Sequence, residues 1–261
     1  MDGLLINTED LYTVCHNLLL STYNAGPMTW DLKSQLQGRP AIESIKRVLD
    51  FFKLSHLDPV EYTKKLHVIQ EEQFRLAQPL PGAQKLLLDL KATEKAGNGR
   101  KIHIALATSS HEWHYKIKTE HLSELFGVFE PERRILGDDK RIPKGRGKPS
   151  PDIYLLALKA INDTLEENEE AIKPEECLVF EDGIPGVEAG RRAGMRVVWV
   201  PHPGLAELSK GKEGEILAGR GEGGEVDAHQ LGEVGDGWGE QLVTLENFPY
   251  EKYGIITERD G

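Results

Sequence analysis

Apolar positions along the chain fall into two kinds of pattern. Residues 9–78 repeat at helical spacing: Leu11, Val14, Leu18 and Leu19 make one stripe, Ile42, Ile45, Val48, Leu49 and Phe52 a second, and Tyr62, Leu66, Ile69 and Phe74 a third. Gly26-Pro27, Gly38-Arg39-Pro40 and Asp58-Pro59 interrupt these stripes as turns. The spacing predicts a small all-helical module. Pro79-Leu80-Pro81-Gly82 is stiff and turn-prone, and it reads as a hinge or re-entry point. Beyond it, short apolar runs alternate with helical stripes. Residues 83–90 predict a helix with Leu86, Leu87 and Leu90 inward, and residues 102–107 (IHIALA) predict a strand. Ile117, Leu122, Leu125 and Phe126 fit a helical region, Ile135-Leu136 a weak strand, and Ile153, Leu155, Leu156, Leu158 and Ile161 another helix. Residues 177–180 (CLVF) and 196–200 predict two more strands, with a helix over 187–193 between them. This alternation implies an α/β fold with a parallel sheet.

Composition changes the picture in one stretch. Residues 210–240 are dominated by glycine and glutamate, with Trp238 the only aromatic, so a poorly ordered surface insertion is expected there. Leu242 to Phe248 reads as a final short element. Elsewhere the chain has a soluble globular composition, 39% hydrophobic and 29% charged, and 261 residues suffice for two domains. A net charge of -11 disfavours a general nucleic-acid binder. Cys15 and Cys177 lie in apolar surroundings without ligand spacing and read as buried free thiols. With neither a membrane-length apolar run nor a secretory signal, the expected compartment is the cytoplasm.

Candidate chemistry gathers where strands end. Thr108-Ser109-Ser110 terminates IHIALA, and Ser109 and Glu112 have capping-box spacing. Uncapped N–H groups at such a helix start attract an anion. Glu181-Asp182-Gly183 terminates CLVF, and Asp2-Gly3 opens the chain. Ligands at the carboxyl ends of strands suit an open α/β sheet, and carboxylate and carbonyl oxygens suit Mg²⁺. Residues 140–148 (KRIPKGRGK) form a compact basic loop.

Taken in order, four motifs resemble those of the haloacid-dehalogenase-like hydrolase superfamily. Asp2-Gly3 with Thr8-Glu9 looks like its first motif, Thr108 the second-motif hydroxyl, Lys148 in KPSPD the third-motif lysine, and Glu181-Asp182 in VFEDGIPG the fourth. The resemblance spans nearly residues 1–202 and implies a Rossmann-like core, 1–9 and 80–261, with a helical cap inserted at 10–79. It further implies a Mg²⁺-dependent phosphatase of small phosphomonoesters, of sugar or nucleoside monophosphate type. DGLLINTE and VVWVPHPGL look closest to the pseudouridine 5′-phosphatase-like branch. In that reading Asp2 is the general acid and base and offers its backbone carbonyl to the metal. Asp182 binds Mg²⁺ with help from Glu181. Thr108, Lys148 and the N–H groups of Ser109 and Ser110 hold the phosphoryl group. Arg39 and His111 are candidate substrate contacts.

One position departs from the pattern. The family's attacking aspartate and its central strand would precede Met1, so the first core strand is expected to be missing. The chain as it stands is then expected to be inactive unless extended upstream. Two alternatives remain: a sugar phosphomutase on the same scaffold, and a non-catalytic binding or regulatory protein. Oligomeric state and protein partners are not readable from the sequence.

Overall fold

The computed structural model describes residues 1–36, 41–93, 99–221 and 232–256. Four helices come first: α1 (Thr8–Ser21), α2 (Trp30–Ser34), α3 (Ala41–Phe51) and α4 (Pro59–Gln73). Proline at the first turn of α4 costs no hydrogen bond, and the Asp58 carboxylate accepts from the Val60 N–H at 3.0 Å. Cys15, Leu19, Leu20, Ile45, Val48, Leu49, Tyr62, Leu66 and Phe74 pack into one core, which Ile117 joins from further along the chain. Val14 and Leu18, expected inside, are exposed, because α1 turns Cys15, Leu19 and Leu20 inward instead.

Two crossings join these helices to the rest, and they run side by side. The Asn7 N–H donates to the Gln78 carbonyl at 3.0 Å, and the Gln78 N–H returns to the Asn7 side chain at 2.8 Å. The Leu80 N–H donates to the Leu5 carbonyl at 2.9 Å, and Ile6 bridges Pro79 in antiparallel fashion.

The remaining chain alternates as the pattern predicts. After α5 (Ala83–Ala92) come β1 (Leu106–Ala107), α6 (Glu112–Thr119), α7 (Ser123–Phe126), β2 (Arg134–Ile135) and α8 (Asp152–Asn162). Then follow β3 (Leu178–Glu181), α9 (Ile184–Arg192), β4 (Arg196–Trp199), α10 (Pro203–Leu208), α11 (Glu213–Leu217) and β5 (Gly239–Gln241). Every strand pair is parallel, β1 with β2 and β3-β4-β5 in that order. Among the described residues no pairing joins the two sheets. Between them lies a cavity of about 590 Å³ lined by Met1, Leu5, Ile104, Leu106, Leu178 and Phe180, among others. Met1 to Ile6 form no strand: the Leu5 and Ile6 N–H groups turn back onto the Met1 carbonyl at 2.9 and 3.3 Å. Of the expected strand 102–107, only Leu106 and Ala107 pair.

Three expectations are corrected. Both flanks of 210–240 carry regular structure, α11 and the start of β5, because Ile216 is buried against the β3–β4 core, a contact that average composition hides. Residues 222–231 lie outside the described residues. The Ser109–Glu112 capping box does not form: α6 begins after His111, and the Asp138 carboxylate takes the Glu112 N–H at 3.1 Å. Cys15 is a buried free thiol, but Cys177 is only half-buried.

Candidate functional site

The ends of β1 and β3 meet the Asp2–Gly3 turn. Gly3 has φ +64°, and a Cβ there would run into the Asp182 carboxylate and the Glu9 side chain. A residue without a side chain is thus what lets the opening turn lie against the end of β3. Gly186 does the same on the other side, where a Cβ would strike the Glu181 carboxyl group.

Three donors surround the Asp2 carboxylate. Its Oδ1 accepts from the Thr8 hydroxyl at 2.6 Å and from Lys118 Nζ at 2.7 Å, and its Oδ2 accepts from the Ser110 hydroxyl at 2.7 Å. Burial alone would raise the Asp2 carboxyl. The Lys118 ammonium, the nearby amino terminus and the hydrogen bonds from Lys118 and Thr8 outweigh it and hold the group well below the usual carboxylate range. Lys118 is fully buried. Its ammonium also donates to Tyr12 Oη at 2.9 Å and Ser110 Oγ at 3.1 Å, so its three protons have three acceptors. Burial would lower its pKa, but Asp2 and Tyr12 raise it above the ordinary lysine value.

The second half of the site is built around Glu181. Lys148 and the Tyr154 hydroxyl both bond the buried Glu181 carboxylate. Burial raises the Tyr154 phenol well above its ordinary value, and Glu181 adds to that. Asp182, half-buried beside it, presents the opposite case to Asp2. Burial pushes its carboxyl well up, and the charges of Glu181 and Glu9 push it further. The Asp182 carbonyl accepts from Trp199 Nε1 at 2.9 Å, which fixes the backbone at this corner.

The arrangement fits a hard divalent cation. Negative charge is crowded at Asp182 by the carboxylates of Glu181 and Glu9. Among the described residues no three His, Cys, Asp or Glu side chains form a ready cage. A bound Mg²⁺ would therefore complete its shell from backbone carbonyl, water and ligand oxygens, as this ion commonly does.

Not every expected residue joins the cluster. Thr108 is buried at the end of β1, and its hydroxyl accepts from the Ser110 N–H at 3.2 Å, so that N–H is already engaged inside the loop. Ser109 is exposed, and so is His111, at the boundary of α6. Arg39 lies outside the described residues. Sequence reasoning missed Lys118, Tyr12 and Tyr154. No local signal marked any of the three, because their partners are distant in the chain.

Comparison with known proteins identifies the family. A family model described as haloacid dehalogenase-like hydrolase matches residues 1–194. A probable pseudouridine-5′-phosphatase of Saccharomyces cerevisiae is 46% identical over 98% of this chain and 94% of its own length. A mitochondrial (DL)-glycerol-3-phosphatase of Arabidopsis thaliana is 33% identical over 84% of this chain and 67% of its own. A solved haloacid-dehalogenase-family hydrolase from Deinococcus radiodurans shares the fold, with a TM-score of 0.59 at 21% identity over 80% of this chain and 84% of that one.

Proposed function

Because this chain belongs to the haloacid dehalogenase-like hydrolase family, we propose that its site hydrolyses small phosphomonoesters, of sugar or nucleoside monophosphate type, with Mg²⁺. The observation that carries the reading is the junction at the strand ends. There Asp2, Ser110 and Lys118 lie on one side, Lys148, Glu181 and Asp182 on the other, and the Asp2–Gly3 turn packs directly against Asp182.

In this reading the carboxylate of the family's first-motif attacking aspartate attacks phosphorus, and the P–O bond to the alcohol breaks as the acyl-phosphate bond forms. Asp2, ionised at rest, takes up a proton as the anionic substrate enters beside it and gives that proton to the leaving alkoxide. It then takes a proton from the water that attacks phosphorus, which frees phosphate, restores the attacking carboxylate and leaves Asp2 protonated. Lys148 offsets charge beside Glu181, and Thr108 stands at the phosphoryl-binding loop. Mg²⁺, held by Asp182 with the Asp2 carbonyl and aided by Glu181, would neutralise and orient the phosphoryl oxygens. The helical segment 10–79 acts as a cap over this opening, with Arg39 and His111 reaching the substrate, and its closure excludes water.

The sheet has room for a strand carrying the attacking carboxylate. The cavity between β1 and β3 is walled by strand residues on both sides, and Met1 stands among its lining residues. A parallel strand placed there would join the two sheets and end beside Asp2. The test is phosphate release with Mg²⁺ across small phosphomonoesters, comparing the chain beginning at Met1 with one extended by an apolar strand ending in aspartate. Turnover and a covalent phosphoenzyme in the extended chain alone are expected. Robust turnover by the shorter chain, or none by the longer, overturns the reading.

A further inference from the structure

We propose that Lys118 is a positioning residue that ties the Asp2 carboxylate to the helical segment. The inference rests on the reading of Asp2 as the acid–base group, but the contacts that carry it are independent of any substrate.

Lys118 belongs to α6, on the sheet side of the molecule, yet its ammonium is shared between both parts. Toward the site it donates to Asp2 Oδ1 at 2.7 Å and to Ser110 Oγ at 3.1 Å, and Ser110 in turn donates to Asp2 Oδ2 at 2.7 Å. Both carboxylate oxygens are therefore held, one directly and one through a relay. Toward the helical segment the ammonium donates to Tyr12 Oη, on α1, at 2.9 Å, and it stands 4.6 Å from the ring centres of both Tyr12 and Phe74. Tyr12 and Phe74 pack edge to face with centroids 4.8 Å apart. These two rings come from the two ends of the helical segment, just inside the paired crossings at Asn7 and Gln78.

The cation thus has a fixed number of bonds and no spare proton. A displacement of α1 or of the Phe74 turn must move the Lys118 ammonium or break its bond to Tyr12. Either event changes the donors at Asp2 and the direction in which its carboxylate points. No surface lysine could do this, because a solvated ammonium replaces a lost partner with water. A buried one cannot do so without cost. Opening and closing of the helical segment is thereby felt at the acid–base group through one side chain.

The test is steady-state kinetics on the extended chain carrying Lys118→Met, Tyr12→Phe and both changes. Lys118→Met is expected to lower kcat by about 10²-fold, the scale at which misplacement of a reacting group by about 1 Å is felt, with KM changed less than about threefold. Tyr12→Phe, which keeps the ring and removes only the acceptor, is expected to lower kcat by roughly fivefold. The double variant should be no worse than Lys118→Met alone, because the two residues act as one unit. An unchanged kcat in folded Lys118→Met, or single effects that multiply in the double variant, would overturn the proposal. A second readout needs no activity: the ammonium signal of Lys118 in ¹⁵N-lysine-labelled protein should move with both Asp2→Asn and Tyr12→Phe. If the extended wild type turns nothing over while that signal responds to both changes, the phosphatase reading fails and the coupling stands. A signal indifferent to Tyr12→Phe sinks the coupling whatever the activity.

Discussion

Asp2 and Asp182 sit in one cluster and have opposite surroundings. Asp2 is ringed by Thr8, Ser110 and Lys118, all donors, and its carboxyl is held low. Asp182 faces the charges of Glu181 and Glu9, and its carboxyl is driven up. Two residues of the same type, a short distance apart, are set to different work by their neighbours alone. The protein itself satisfies the first. The second is left with a surplus of negative charge that a cation would relieve.

The contrast can be broken most forcefully at Asp2. Replacing it by Asn in the extended chain is expected to lower kcat by about 10²–10⁴-fold, the usual range for a lost acid–base group, in a phosphate-release assay. The same change leaves Lys118 buried with no carboxylate partner. Chemical denaturation should therefore show a loss of about 3–5 kcal/mol, the range for one broken half of a buried ion pair. A loss under about 1 kcal/mol would mean that the Lys118 charge finds other relief.

Asp182 should respond in the other direction. Mg²⁺ at a hundred times its dissociation constant is expected to stabilise the folded chain by about 2.7 kcal/mol, visible as a rise in Tm, and Asp182→Asn should abolish most of that rise. Without Mg²⁺, Asp182→Asn should stabilise the chain by roughly 1 kcal/mol, because a carboxylate crowded by like charge is removed. Destabilisation of the metal-free protein would show that Asp182 has a partner of its own.

The smallest effect lies outside both aspartates. Burial holds His16 and His114 down to about 4 against an ordinary 6.5. The unfolded chain therefore takes up these two protons first as pH falls. Their contribution is whole above pH 6.5 and is lost between there and pH 4. At pH 5.5 the loss should be roughly 1 kcal/mol each, or about 2–4 °C in Tm. His114→Gln should flatten that fall, measured by thermal scans from pH 7 to 5.

Much of this was legible beforehand because it depends on local order. Strand-ending motifs at Thr108 and Glu181-Asp182 announce themselves through the apolar runs before them, and the two glycines beside Asp182 and Glu181 belong to motifs with recognisable spacing. Lys118 was not legible. A lysine on a helix rich in charge reads as solvated, and only the tertiary approach of Asp2, Tyr12 and Phe74, far apart in the chain, makes it a buried cation. The Ser109–Glu112 spacing misled for the same reason: Asp138, distant in sequence, reached the helix start first. The strand over 102–107 was overestimated because an apolar run records burial, whereas a strand also needs a neighbour to pair with.

The paired crossings at Asn7–Gln78 and Leu5–Leu80 carry a further consequence. The helical segment leaves and rejoins the scaffold at a single hydrogen-bonded seam, so the sheet layer meets the same two adjoining chain ends whatever lies between them. Exchange of residues 13–73 for a different lobe of matching ends would keep this seam, the Thr8 hydroxyl on Asp2 and the Tyr12 and Phe74 rings around Lys118. Such a joint lets a lineage graft new selectivity onto old reactivity.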